Sequence, residues 1–170
     1  MRPRTLGVLI ALIVFAADQA VKAAVLSRFT DAGPELTPVT PFLDLALRWN
    51  AGISFSLFTQ DSSFGRAVLL GVTLAATVCL GWWLWRCKSK WAAAGLGAII
   101  GGALGNAVDR LAHGAVVDYL DLHAFGRHFF VFNLADAAIN IGVALLVLDL
   151  AFGSQATDRR KQPLSPPRAN

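Results

Sequence analysis

A chain of 170 residues that is 55% hydrophobic and 15% charged, with a mean hydropathy of +0.55, is too apolar for an ordinary soluble domain. Its formal charge of +4 and pI near 9.6 would suit a nucleic-acid partner, but nine of the 15 Lys and Arg gather in three places: Arg2 and Arg4; Arg86, Lys88 and Lys90; Arg159, Arg160, Lys161 and Arg168. That distribution speaks for membrane topology, with contact to membrane lipids, and against a nucleic-acid partner.

Four stretches reach the roughly 17–25 residues that a helix needs to cross a bilayer. They run over about 6–26, 66–85, 91–108 and 129–152. The sequence predicts an all-α membrane protein, a four-helix transmembrane bundle in one domain over 1–152. With four spans, the three basic segments share one side, and the positive-inside rule puts both termini in the cytoplasm. Trp82, Trp83, Trp85 and Trp91 flank the basic loop after the second span, where amphipathic rings favour the headgroup region.

The N-terminus imitates a secretory signal, with MRPR before an apolar run and small residues at Ala16, Ala17 and Ala20. Three more spans follow, however, and the apolar character continues past Asp18 to Leu26. Asp18 and Lys22 lie four apart on one helical face, as an interior ion pair of a retained first helix would. The following segment, 27–65, carries Pro34, Pro38 and Pro41 and then alternates over 42–48. This predicts a small β-rich extracytoplasmic cradle between the first two helices. Asn50-Ala51-Gly52 reads as a turn, and Ile53, Phe55, Leu57 and Phe58 as an apolar patch that dips into the membrane interface.

Cys79 falls in the second span and Cys87 in the basic loop; with no CxxC or Cys/His spacing, they predict neither a metal site nor a disulfide. Gly97, Gly101 and Gly105 form a stripe at intervals of four in the third span, a small-xxx-small pattern that lets helices approach closely. Asn106, Asp109 and Arg110 follow at the outer membrane boundary. Asp118 and Asp121 lie in the connection to the fourth span, where Asn133, Asp136 and Asn140 align on one helical face at i, i+3 and i+7. After Gly153 the chain turns polar, with Pro163, Pro166 and Pro167, and reads as a disordered cytoplasmic tail over 153–170.

Acids at hydrocarbon depth cost several kcal/mol unless they are paired or line a polar cavity. Asp136 is the hardest to explain as scaffold, sitting in an apolar helix between two asparagines. Two converging carboxylates share a proton, so that one activates a water while the other polarises a carbonyl, with no metal and no cofactor. Plain structural readings stand beside this one: Asp109 paired with Arg110, Asp118 paired with Arg127, and Asp121 solvated in a loop. Spacing alone leaves Asp109 and Asp118 both open as the partner of Asp136. A serine protease using Ser54 with His113, His123 or His128 lacks a rhomboid-type GxSG, and HExxH is absent. A proton-coupled transporter would carry polar groups through to the cytoplasmic face, whereas these crowd at the outer boundary. A structural membrane protein would need no converging acids.

Five motifs in register resemble one family: Asp18-Gln19-x-x-Lys22; Asn50-x-Gly52-x-x-Phe55; Gly101-Gly102-Ala103-Leu104-Gly105-Asn106-x-x-Asp109-Arg110; Val116-Val117-Asp118; and Phe132-Asn133-Leu134-Ala135-Asp136. Together, over about 6–152, they resemble bacterial lipoprotein signal peptidase, also called signal peptidase II. The resemblance implies an intramembrane aspartyl endopeptidase of the bacterial cytoplasmic (inner) membrane, acting near its outer face. It implies cleavage of diacylglyceryl-modified prolipoproteins before the lipid-bearing cysteine, and sensitivity to globomycin-type inhibitors. It favours Asp118 and Asp136 as the catalytic dyad. Asp18, Lys22, Asn50, Gly52, Asn106, Asp109, Arg110, Asn133 and Asn140 are expected to support the site or bind substrate, in a monomeric enzyme. Two departures, Trp49 in place of an arginine common in the family and Ile53-Ser54 in place of a small pair, bear on substrate contacts.

Overall fold

The computed structural model describes residues 1–32, 36–52 and 63–159. Helix α1 spans Pro3–Ala32, followed by strands β1 (Thr37–Thr40) and β2 (Leu43–Asn50). Helices α2 (Ser63–Arg86) and α3 (Lys90–His113) come next, then strands β3 (Val116–Ala124) and β4 (Arg127–Phe132), and finally α4 (Leu134–Arg159). Four helices are long and apolar enough to cross a membrane, in segments Pro3–Phe29, Phe64–Arg86, Lys90–His113 and Leu134–Phe152. The protein is a multi-span membrane protein.

Helix α3 is the hub. The stripe predicted for close approach does that work: a Cβ on Gly97 would meet the Gly7 backbone, one on Gly101 the Ala11 backbone, and one on Gly105 the carboxylate of Asp18. Replacing side chains by hydrogen lets α1 and α3 approach closely along the whole Gly97–Gly105 stripe. On another face of α3, Gly95 meets Gly142, and Gly102 meets Ala135 and Ile139 of α4. Leu84 of α2 packs with Ala93, Leu96 and Ile100 of α3 at the end of the bundle away from the sheet. There Ser89 caps α3, accepting from the Ala92 N–H, and donates to Asp149 of α4. Arg4 lies 5.1 Å from the Trp85 ring and Arg86 lies 4.3 Å from that of Trp82, so cations and aromatics share this end, as the sequence led us to expect.

The opposite end carries an antiparallel sheet in the order β1-β2-β3-β4. Only half of it comes from the segment between α1 and α2. The other half, β3 and β4, is the α3–α4 connection, expected from the sequence to be a short loop followed by the start of the fourth span. Phe129-Phe130-Val131-Phe132 has the aromatic and β-branched character that favours strands, and it pairs with β3 through Leu120↔Phe132, Asp121↔Val131 and Leu122↔Phe130. The fourth helix therefore begins at Leu134, not Phe129. It also runs on through Arg159, so residues 153–159, expected to be disordered, are helical; no proline interrupts them before Pro163. The rest of the expected tail and the apolar patch at Ile53–Phe58, with Ser54, lie outside the described residues.

Beneath the sheet, Val25 and Phe29 of α1 pack with Val117 and Tyr119 of β3. Both faces of β3 are covered at its start, since Val116 to Tyr119 are all buried. This buried strand end, wedged between α1, α3 and α4, is where the polar residues collect.

Candidate active site

Lys22 stands at the centre of the buried charge. Its ammonium is 2.8 Å from Asp18 Oδ2 and 2.8 Å from Asp109 Oδ2, and donates to Asn106 Oδ1 at 2.9 Å. The three charged side chains are 3%, 0% and 4% exposed for Lys22, Asp18 and Asp109, so this is an ion triad sealed in the bundle. The predicted Asp18–Lys22 pair is present, but the Asp109–Arg110 pairing is not. Adjacent helical residues point apart, and Asp109 turns inward to Lys22 and accepts the Val117 N–H at 3.0 Å. Arg110 instead donates to the Asn106 carbonyl at 3.2 Å.

Asn106 passes the order on. Its Oδ1 accepts from Lys22 and from Asn133 Nδ2 at 3.1 Å, which fixes the amide orientation and leaves Nδ2 to donate to Asp136 Oδ1 at 2.8 Å. Asn133 is the N-cap of α4. It accepts the Asp136 N–H on Oδ1 at 2.9 Å, while Asp136 Oδ2 accepts the Asn133 N–H at 3.3 Å, the reciprocal pattern of a capping box. The remaining first-turn donors are also met. Leu134 N donates to the Tyr119 hydroxyl at 3.1 Å and Ala135 N to Asp18 Oδ1 at 3.0 Å. Asp136 thus lies in the first turn of α4, where the helix macrodipole favours an anion.

Asp118 arrives from β3 and is 2% exposed. Asn133 Nδ2 donates to its Oδ1 at 2.7 Å and Asn50 Nδ2, at the end of β2, to its Oδ2 at 2.9 Å. Asn50 in turn accepts the Gly52 N–H at 3.0 Å, closing the predicted turn, with Gly52 at a φ of 107° that suits glycine. Burial pushes the Asp118 carboxyl above the ordinary carboxylate range; the nearby Asp136 charge adds to the rise, and the Asn50 and Asn133 hydrogen bonds oppose it. The suggested Asp118–Arg127 pair does not form. Both Asp118 and Asp136 contact Asn133, so the two acids from different elements meet around one residue.

The surroundings of three more residues are defined. Asn140 is exposed and its amide donates to the Asp136 carbonyl at 3.0 Å, one turn back along the helix, so it does not touch the carboxylate. Asp121, read as solvated, is 3% exposed and faces His128 Nδ1 at 3.0 Å, while its cross-strand neighbour Asp44 faces His123 Nε2 at 3.1 Å. These acid–histidine pairs belong to the sheet and not to the Asp118–Asp136 centre. Trp49 rests against His113, ring centroids 5.4 Å apart, at the exposed rim.

Two participants were not among the site residues expected from the sequence. Gln19 donates to Asp109 Oδ1 at 3.2 Å and to the Gly105 carbonyl at 3.3 Å; its place three residues before Lys22 on one helix was the available signal. Tyr119 caps α4, and as the chain's one tyrosine, next to Asp118, it was conspicuous in composition but not in spacing. Among the described residues no group of three or more metal-ligating side chains forms a candidate metal site.

The geometry can be set beside known proteins. The family model described as Signal peptidase (SPase) II matches residues 10–152. A "Lipoprotein signal peptidase" from Methylocella silvestris is 48% identical over 155 residues, 91% of each chain. One of the same name from Methylobacterium radiotolerans is 41% identical over 170 residues, 100% of this chain and 97% of its own. A solved structure described as a bacterial membrane enzyme superposes with a TM-score of 0.74 at 25% identity, covering 94% of both chains. A second so described gives 0.75 at 27% identity, covering 86% of this chain and 92% of that one. The chain belongs to the signal peptidase II family.

Proposed function

We propose that the protein removes signal peptides from diacylglyceryl-modified prolipoproteins as an intramembrane aspartyl endopeptidase, with Asp118 and Asp136 as its catalytic dyad. Family membership supplies the protease activity and the prolipoprotein substrate. The observation that supports the aspartyl mechanism is the meeting of two carboxylates around Asn133, at the sheet end of a membrane bundle. Four acids lie there with Lys22 and Arg110 as the nearby cations, and the upward shift of Asp118 on burial supports assigning it as the member that carries the shared proton.

Asp136, supplied with the Asn106 amide and lying in the first turn of α4, is the ionised member. It takes a proton from a water that attacks the scissile carbonyl carbon, while Asp118 gives its proton to the carbonyl oxygen. When the tetrahedral adduct collapses, the C–N bond breaks, Asp136 returns its proton to the leaving amine and Asp118 recovers its own. Asp18, Lys22, Asn106, Asp109 and Asn133 hold the pair in place; Asn50 and Gly52 shape the edge where substrate enters. Cleavage falls before the lipidated cysteine.

The end carrying Arg4, Arg86 and Lys90 faces the cytoplasm with both termini, and the sheet with the dyad faces the outer side of the bacterial inner membrane. The enzyme acts as a monomer among membrane lipids, and globomycin-type peptides occupy the substrate path. The test is a gel-shift assay on a diacylglyceryl-prolipoprotein, with and without globomycin. The expected result is a smaller product that globomycin suppresses; no mobility change at high enzyme overturns the assignment.

A further inference from the structure

Asp118 and Tyr119 are consecutive in β3, and they grip consecutive residues of the α4 start. Asp118 Oδ1 takes the Asn133 amide at 2.7 Å, and the Tyr119 hydroxyl takes the Leu134 N–H at 3.1 Å. Because neighbours in a strand point to opposite faces, the two contacts hold α4 from two sides. Leu134 is the first helical residue, and its N–H has no intrahelical acceptor. Tyr119 is 3% exposed, with its ring in the core beside Val25, Phe29 and Val117, so packing holds its hydroxyl at that N–H.

We propose that Tyr119 is a positioning residue for the dyad: its hydroxyl caps the first N–H of α4 and so sets Asp136 against Asp118. Asp136 sits two residues beyond Leu134 in that same turn, and a frayed first turn would swing its carboxylate away from the partner acid. Burial pushes the phenol up to about 12, with the Asp18, Asp136 and Asp118 charges adding to the rise, so the cap stays neutral at any working pH. The role rests on the aspartyl reading of the site.

Tyr119→Phe keeps the ring and removes only the acceptor. The expected result is a fall of about ten-fold in kcat with KM unchanged within two-fold, because the loss is in dyad alignment and not in substrate binding. Parent-like kcat in Tyr119→Phe overturns the capping role. Hydrogen exchange of residues 133–138 in detergent gives a readout free of the substrate assignment. Faster exchange in Tyr119→Phe supports the cap, and unchanged exchange overturns it, even if the parent protein cleaves no prolipoprotein and the aspartyl reading falls alone.

Discussion

Helices α2 and α3 are each 24 residues long and equally able to span a membrane, yet their fates in the bundle are opposite. The spanning window of α3 is 67% buried, that of α2 only 6%, and α2 is the more hydrophobic of the two. In water this would be backwards. In lipid, large apolar side chains gain nothing by leaving the tails, so Val72, Val78 and Trp82 of α2 point outward. Burial goes instead to small and polar residues: glycines that admit a neighbouring backbone, and Asn106 and Asp109, which need partners inside the protein. In this protein hydropathy finds the membrane, while smallness and polarity find the interior.

The hardest blow should fall on the acids that α3 helps to gather. Asp118→Asn and Asp136→Asn are each expected to lower cleavage by about 10³-fold or more while the protein stays folded in detergent. Retained turnover in either removes that residue from the dyad. Cys79→Ser, on the exposed face of α2, should cleave like the parent in the same assay.

Next comes the buried cation. Lys22→Met leaves Asp18 and Asp109 sealed without a counter-charge, and a loss of about 3–5 kcal/mol of stability is expected in a detergent unfolding titration. A midpoint unchanged from the parent would mean that the triad is not the tie between α1 and α3.

Glycine substitutions sharpen the contrast directly. Gly105→Ala drives a methyl into the Asp18 carboxylate and should cost about 1–3 kcal/mol along with most of the activity. Gly71→Ala and Gly81→Ala on α2 meet nothing within 4 Å and should be neutral or slightly stabilising. Equal effects at the two sets of sites would erase the distinction between the helices.

The gentlest change is Asn50→Ala. The Asn50 hydrogen bond opposes the upward shift of Asp118, so its loss raises that carboxyl further. With Asp118 as the proposed proton donor, activity is expected to disappear as pH rises through its titration, so the alkaline limb of kcat should move to higher pH. A limb that stays put or moves down would reassign the proton donor.

Much of this site was legible because membrane insertion makes polar residues expensive. Asp18 and Lys22 pair as their four-residue spacing indicated, since a helix fixes that geometry by itself. The Gly97–Gly101–Gly105 stripe announced close packing for the same reason, without saying that α1 would fill it. Sequence misplaced Asp121, whose burial is set by the neighbouring strands. It also took Phe129–Phe132 as the head of a helix, because an apolar run before a helical pattern has the same composition whether it continues the helix or pairs with a neighbouring strand.

Sequence alone determined four membrane segments, the charge asymmetry of their ends and the register of five motifs, because hydropathy, charge and spacing are properties read along one dimension. Tertiary structure alone decided which acids meet. Asp109 went to Lys22 and Asp118 to Asn133, although both were equally available by spacing, because α3 turns Asp109 toward α1 while the end of β3 delivers Asp118 to the cap of α4. Partner choice among buried charges depends on distances across elements, and those exist only once the helices have packed.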